Sequence, residues 1–460
     1  MAEILFAGAA SEVTGSRHLV QIHGKRILLD CGLCQGHRKD AEAKNRNFIF
    51  EPGKVDAVIL SHAHLDHAGN LPHLVKAGFT GAIWATPATC DLTQVMLEDS
   101  GHIQEKDALF FNKKNPREPI TPLYTVEDAV QCQKHFRSIA YEQPFEPVPG
   151  VTAILHEAGH ILGSAQVTLL WDEEGIPKSL RFTGDLGRKH MPLLNEPFHG
   201  GRANTLITEC TYGSRRHMGE GDGAEALLKV LEDAVRLKGK VIIPAFAVGR
   251  TQELLYHIEQ LHQAGTLPKL PIWVDSPLAK RATEVFERHK ADLDASFKLL
   301  DSHGDPFNEP MVRFTASVEE SMQLNDLPGP LCIIAASGMC EAGRVLHHLR
   351  NNLNDKRNQV VIVGYQAEGT LGRRLMDGQK RVKVFGIDHD VSARVVVLHA
   401  YSAHADKDDL MSYIEALAPS KPRVILVHGE PESAEAFGAE IHAQFHLAVD
   451  IPKLGESLKL

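Results

Sequence analysis

The sequence predicts an α/β protein of two domains, one a sandwich of strand-rich sheets and the other built on a mainly parallel sheet. Three observations carry this prediction. At 460 residues the chain exceeds what one hydrophobic core ordinarily organises, about 100–200 residues. Up to about residue 209 it reads as short apolar runs bounded by Gly, Pro or Asp, with few helical stretches between them; that is the pattern of sheet packed on sheet. From about 224 to 376 strands alternate with segments of helical period, which implies βαβ units around a parallel sheet.

In the first part, strands are predicted at 4–6, 19–22, 27–29, 57–60, 83–85, 151–155, 167–171, 180–183 and 206–208, with a helix at 87–99. The alternating part runs helix 224–237, strand 241–244, helix 251–263, strand 272–274 and helix 279–289. It continues with strand 331–335, helix 343–351, strand 360–363 and helix 371–377. A last stretch, 395–399, 407–417 and 424–427, returns to strand–helix–strand. No internal repeat, coiled coil, low-complexity tract or Pro/Ser-rich linker interrupts the chain, so the two domains are expected to be joined directly.

Composition narrows the class. Hydrophobic residues make up 43% and charged residues 23%, ordinary for a globular chain and wrong for disorder. No apolar run approaches the ~20 residues of a membrane helix, and the opening Met-Ala-Glu-Ile-Leu-Phe reads as a first strand and not a signal peptide. Seven scattered cysteines argue against a disulfide framework and fit a reducing cytoplasm. Cys31 and Cys34 form a lone C-x-x-C, read as two small buried side chains. The net charge of −10 argues against a surface coated for nonspecific nucleic-acid binding, so any nucleic acid needs a local basic cleft or metal ions. Histidine is abundant, at 26 residues.

Several of those histidines cluster. Ser61-His62-Ala63-His64-Leu65-Asp66-His67 follows the predicted strand 57–60 and places three imidazoles and a carboxylate within six residues. In extended chain His62 and His64 point the same way, while Asp66 and His67 begin a turn or helix and can face a second ion. Imidazole nitrogen and carboxylate oxygen suit Zn²⁺. Further donors stand just beyond other strands: His160 in Ala158-Gly159-His160, Asp185 in Thr183-Gly184-Asp185, and Asp30 after 27–29. Each of these alone reads equally as a cap or turn residue.

Taken together, Asp30, the H-x-H-x-D-H string, His160 and Asp185 resemble the four successive motifs of the metallo-β-lactamase superfamily. Glu209-Cys210-Thr211-Tyr212-Gly213, Ser402-Ala403-His404-Ala405-Asp406 and Val427-His428-Gly429-Glu430 resemble motifs A, B and C of its β-CASP branch, which includes RNA-processing nucleases. Cys210 departs from the Ser of many relatives. The resemblance implies an αββα metallo-β-lactamase sandwich over residues 1–209 and 390–460, interrupted by an α/β β-CASP domain at 210–389.

The resemblance also implies two Zn²⁺ per chain, although Mn²⁺ or Fe would suit the same donors. His62, His64, His160 and Asp185 would hold one ion; Asp66, His67, His428 and a bridging Asp185 the other. Asp30 would orient a ligand histidine. Two such ions lower the pKa of a shared water and neutralise charge building on phosphorus. His404 would act as general acid, held by Glu209, and His at 428 points to RNA in place of DNA. Catalytic roles thus fall to His404, Glu209, Asp66 and Asp30.

In the inserted domain the small-residue turn Ser337-Gly338-Met339 precedes a predicted helix, where free N–H groups can meet phosphate. The turns 246–250 and 364–370 have the same form. Arg250, Arg344, Arg373 and Arg374 lie beside these turns and could supply positive charge or be ordinary solvated residues. The expected function is a ribonuclease threading single-stranded RNA between the domains, cutting endonucleolytically or, alternatively, as a 5′→3′ exonuclease. No membrane contact is expected, and monomer and homodimer both stay open. A thioesterase-class hydrolase, a DNA nuclease and a non-catalytic RNA-processing scaffold are the rival readings. The residues after His428 are expected to finish the fold and not to form an appended RNA-binding domain.

Overall fold

The computed structural model describes residues 2–36, 38–216, 223–307, 311–364, 366 and 368–460. It divides into two compact units: one of residues 1–191, 195–216 and 404–460, the other of 192–194 and 217–403.

The first unit begins with β1 (Glu3–Gly8), β2 (Arg17–Ile22), β3 (Lys25–Leu29), β4 (Ala57–Ile59), β5 (Ala82–Ala85) and β6 (Phe136–Ser138). A second set follows: β7 (Phe145–Val148), β8 (Val151–Glu157), β9 (Ala165–Glu173), β10 (Ile176–Phe182) and β11 (Thr205–Glu209). The second unit contributes β12 (Lys240–Pro244), β13 (Ile272–Asp275), β14 (Val312–Phe314), β15 (Leu331–Ala335) and β16 (Gln359–Ile362). It also holds the hairpin β17 (Arg381–Val384) and β18 (Ile387–Asp390), then β19 (Arg394–Val397). Strands β20 (Arg423–Val427), β21 (Val449–Asp450) and β22 (Ser457–Lys459) return to the first unit.

Two seven-stranded sheets result, ordered β22-β1-β2-β3-β4-β5-β6 and β21-β20-β11-β10-β9-β8-β7. Their facing sides share one core, in which Ile27, Leu29 and Ile59 meet Leu155, Val167, Leu180, Phe182 and Val427. Side-chain alternation sends the intervening residues Leu28, Val58 and Leu60 outward, where Leu71, Leu74 and Leu97 of the helices cover them. Helices Lys407–Leu417 and Pro431–Phe445 cover the second sheet through Tyr413, Ile414, Phe437 and Ile441. Truncating one such side chain to Ala costs roughly 2–5 kcal/mol. The layers are therefore helix, sheet, sheet, helix, as expected.

Strand direction places the functional loops. β3 and β4 are parallel, β10, β11 and β20 are parallel to one another, and β8 and β10 both run antiparallel to β9. The C-terminal ends of these strands thus lead into Asp30, His62, His160, Asp185, Glu209 and His428.

The second unit carries a six-stranded sheet ordered β14-β13-β15-β12-β16-β19, in which every pairing is parallel. The expected boundaries move in two places. The first unit keeps residues to 216, and its return begins at His404 instead of 390. The reason is β19, whose residues 394–397 pair with 359–362 of β16. The helix expected at 87–99 runs on to Lys114. Among the described residues no helix is long and apolar enough to cross a membrane.

Candidate metal centre

After β4 the chain bends at Ala63 and His64, and His64, itself in extended conformation (φ −60°, ψ 147°), caps the short helix Leu65–Ala68. His62 and His64 still meet on one side, and the helical turn redirects Asp66 and His67. His62 Nε2 and His64 Nδ1 lie 3.1 Å apart, and His160 Nε2 lies 3.2 Å from His64 Nδ1. Asp185 Oδ2 closes the set at 3.6 Å from both His62 Nε2 and His160 Nε2. Four ligands at ~2.0–2.1 Å from a tetrahedral zinc stand about 3.3 Å from one another, so these separations bracket the spacing such an ion imposes.

A second group forms beside the first. His67 Nε2 is 3.1 Å from His428 Nε2 and 3.2 Å from Asp185 Oδ1, and Asp66 Oδ2 is 3.5 Å from His428 Nε2. Asp185 therefore offers one oxygen to each group. These are donor sets that can hold metal, and their hard–borderline N/O character fits divalent zinc.

Hydrogen bonds at the far side of the His62, His67 and His428 rings decide which nitrogen faces inward. Asp30 Oδ2 takes the His67 Nδ1 proton at 2.7 Å, leaving Nε2 toward the centre. The same oxygen accepts from Ser61 Oγ at 2.9 Å and Ser16 Oγ at 3.2 Å. Ser61 Oγ stands 3.1 Å from His62 Nδ1 and, with its own proton given to Asp30, accepts from that ring. Thr211 Oγ1 does likewise for His428, 3.1 Å from Nδ1, while donating to the His428 carbonyl at 3.0 Å. Asp30 and His428 both adopt left-handed backbone (φ 60° and 50°), a conformation that side chains with a Cβ hold only under external constraint. For Asp30, Ser61 N–H supplies part of that constraint at 2.7 Å; for His428, its own N–H donates to Ala9 O at 2.7 Å. Gly184 needs its φ of 55°, and a Cβ there would stand 2.6 Å from Ser61 Cβ.

Electrostatics agree with the geometry. Burial holds His62 and His160 well below the ordinary imidazole range and lowers His64 to about 4, so their lone pairs are free of protons at neutral pH. Burial also opposes charge on His67, but Asp185 and Asp30 outweigh it and raise its pKa well above normal, so without metal this ring holds a second proton on Nε2, which a bound ion would displace to expose the lone pair. Asp185 stays ionised despite burial because His428 and His67 face it. Positive charge is drawn to the space between the two groups.

Beyond them stands His404, 17% exposed, with Nδ1 3.2 Å from Glu209 Oε2. Glu209 is fully buried and also accepts Leu186 N–H at 2.6 Å. Burial works against a charged His404, yet the Glu209 carboxylate prevails and raises it to about 9. The structure thus gathers Asp30, His62, His64, Asp66, His67, His160, Asp185, Glu209, His404 and His428. Sequence reasoning missed Ser16, Ser61 and Thr211 as orienting groups. Ser61 and Thr211 sit inside the quoted motifs, but only contacts reveal what they hold.

The expected substrate grips in the second unit are differently placed. Arg250 is buried against Glu253, Arg344 Nη1 bonds Asp275 Oδ1 at 2.6 Å, and Arg373 Nε pairs with Asp377 at 3.0 Å. Each cation thus has a carboxylate against it, which cancels the local charge expected of it. Ser337-Gly338-Met339 follows β15, and two of its carbonyls are engaged internally, Gly338 O accepting from Gln366 at 3.0 Å and Met339 O from Gly372 N–H at 3.1 Å; these bonds leave the N–H groups, on which the phosphate expectation rests, untouched. In the turn 364–370, Tyr365 and Ala367 lie outside the described residues. Cys31 and Cys34 are buried free thiols, as expected.

Comparison with known proteins agrees. Residues 13–137 match the metallo-beta-lactamase superfamily, 251–375 the Beta-Casp domain, and 388–452 the Zn-dependent metallo-hydrolase RNA specificity domain. The chain is 36% identical over 453 residues to Ribonuclease TTHA0252 of Thermus thermophilus, covering 98% of each. It is 31% identical over 473 residues to Transcription termination factor FttA of Thermococcus kodakarensis, covering 98% of this chain and 70% of that one. A crystal structure of a protein of unknown function from Enterococcus faecalis shares the fold, at TM-score 0.56, 12% identity and full coverage of both chains. Motifs, donor geometry and kinship converge: the chain belongs to the β-CASP ribonuclease family of the metallo-β-lactamase superfamily, a family of metal-dependent hydrolases.

Proposed function

We propose that this protein is a ribonuclease that hydrolyses RNA phosphodiester bonds with two zinc ions, by an endonucleolytic cut. The observation that carries the reading is Asp185, whose two oxygens each face one of two adjacent N/O donor groups. His62, His64, His160 and Asp185 would hold one ion, and Asp66, His67, His428 and Asp185 the other. When bound, the ions supply an activated water and neutralise charge on the phosphate. Asp30 orients His67 directly and His62 through Ser61, and Thr211 orients His428. His404, charged at neutral pH because Glu209 faces its Nδ1, gives its proton to the departing oxygen. Kinship with a named ribonuclease and His at position 428 favour RNA as the substrate.

The test is metal content and cleavage of labelled RNA and DNA, for the wild-type protein and His64→Ala. About two metals per chain and RNA cutting by wild type alone are expected. Full cutting by His64→Ala would remove the cluster's role, and preferential DNA cutting would reverse the substrate.

A further inference from the structure

Helix Pro87–Lys114 buries a seam from Ala88 through Leu92, Met96 and Ser100 to Ala108, and nothing beyond Ala108 is buried. Its last turns instead present Leu109 at 71% and Phe110 at 54% exposure. Asn112 ties down the following loop, donating to Ile120 O at 3.0 Å and accepting Ile120 N–H at 2.7 Å. The segment is therefore built and not frayed, and it holds an aromatic ring in solvent at a hydrophobic cost.

Charge singles out the same place. Between Glu105 and Glu118 stand Lys106, Lys113, Lys114 and Arg117 with Asp107, so the stretch 108–117 carries three cations and no acid in a chain of net charge −10. All four cations are exposed, and none forms an ion pair among the described residues. Of the arginines expected to grip substrate, by contrast, Arg250, Arg344 and Arg373 each face a carboxylate. Lys114 Nζ lies 4.3 Å from the Phe110 ring centroid, so a cation and a stacking face are presented together.

We propose that this end of the helix is a contact surface for single-stranded RNA, with a base stacking on Phe110 and phosphates meeting Lys113, Lys114 and Arg117. This rests on the ribonuclease reading and adds a second grip to it. An exposed aromatic among cations held in no ion pair is what sequence-tolerant single-strand binding uses. The other end of the helix adjoins the His160 loop, because Thr86 Oγ1 donates to Gly163 O at 2.6 Å. Phe110 lies about 35 Å further along the helix axis, at ~1.5 Å per residue. A strand engaged at the metal centre reaches Phe110 only if it is long, so the surface favours long RNA over short.

The experiment compares wild type with the triple variant Phe110→Ala, Lys113→Gln, Lys114→Gln on unstructured RNA of two lengths. Binding is read by fluorescence anisotropy in chelator against salt, and cleavage by kcat and KM. The substituted side chains are exposed, and thermal unfolding with metal content verifies the fold. For long RNA the variant should bind roughly tenfold or more weakly, from loss of one stacked base. Its salt slope should fall by about 1.4, from two lost phosphate contacts at ~0.7 each. KM should rise on long RNA and kcat stay unchanged, with short RNA unaffected. Equal affinity and slope for both proteins would overturn the surface while wild-type cleavage keeps the ribonuclease reading. A change from dimer to monomer with unaltered RNA binding would make the patch a self-contact and also overturn it. Absence of RNA binding and cleavage in wild type would remove both readings.

Discussion

Replacing Thr211 with Val deletes one hydroxyl while keeping the side chain's shape. In the folded protein that hydroxyl accepts the His428 Nδ1 proton at 3.1 Å and donates to the His428 carbonyl at 3.0 Å. Both contacts are buried. The carbonyl retains a second donor, Cys210 N–H at 3.3 Å, so the main loss falls on the ring. A buried N–H left without an acceptor costs about 1–3 kcal/mol. The ring can avoid that cost by moving its proton to Nε2 or by turning, and either change withdraws the lone pair facing Asp66 and His67. Loss of such an orienting partner typically weakens metal binding roughly 10–100-fold, or about 1.4–2.7 kcal/mol. The effect should be confined to one of two sites, since His62, His64 and His160 do not touch Thr211. Competition of metal-free protein against a chromogenic chelator resolves two binding steps in wild type. In Thr211→Val one step should weaken by that factor and the other hold, and Thr211→Ser should restore both. Equal weakening of both steps, or no change in either, would refute the reasoning.

Two further outcomes follow from the same contacts. His404→Asn should lower kcat by about 10²–10⁴-fold with metal content unchanged, measured by single-turnover RNA cleavage; a matching loss of metal would assign His404 to ligation instead. In the second unit, burial pushes Asp275 upward, but bonds from His348, Ser321, Thr315 and Arg344 outweigh it and hold its carboxyl below the ordinary range. Its stabilisation is then complete above the unfolded value of ~3.9 and fades as pH falls through the lower folded value. Asp275→Asn should therefore lose about 3–5 kcal/mol at pH 7, a gap that narrows below pH ~4; a gap constant across that range in urea unfolding would contradict the sign.

Local pattern carried much of the fold. Ile27-Leu28-Leu29 and Ala57-Val58-Ile59 alternate between the inter-sheet core and the helix-covered face, and period-two burial is written in any short apolar run. The helix from Pro87 is legible to 99; beyond it Ser100 and Gly101 take the buried seam and the apolar Leu109 and Phe110 are exposed, so the amphipathic pattern that marks the first half does not continue. The return to the first domain is expected at about 390 because 395–399 opens a strand–helix–strand stretch and His404 and His428 belong in the first domain's site. Only the pairing of β19 with β16 assigns that strand to the second unit.

What the sequence determined by itself is the chemistry available: histidines and carboxylates standing just past strands, in an order that matches one family. Identity and spacing along the chain are local properties, and they name donors without measuring distances between them. The tertiary structure decided the rest. Parallel β10, β11 and β20 bring Asp185, Glu209 and His428 to one edge, and Asp185 divides its two oxygens between neighbouring groups. Ser61 and Thr211 choose which imidazole nitrogen keeps its lone pair, while Glu253, Asp275 and Asp377 neutralise arginines that looked free. Those outcomes depend on contacts between residues far apart in the chain, whose geometry exists only once the strands have paired.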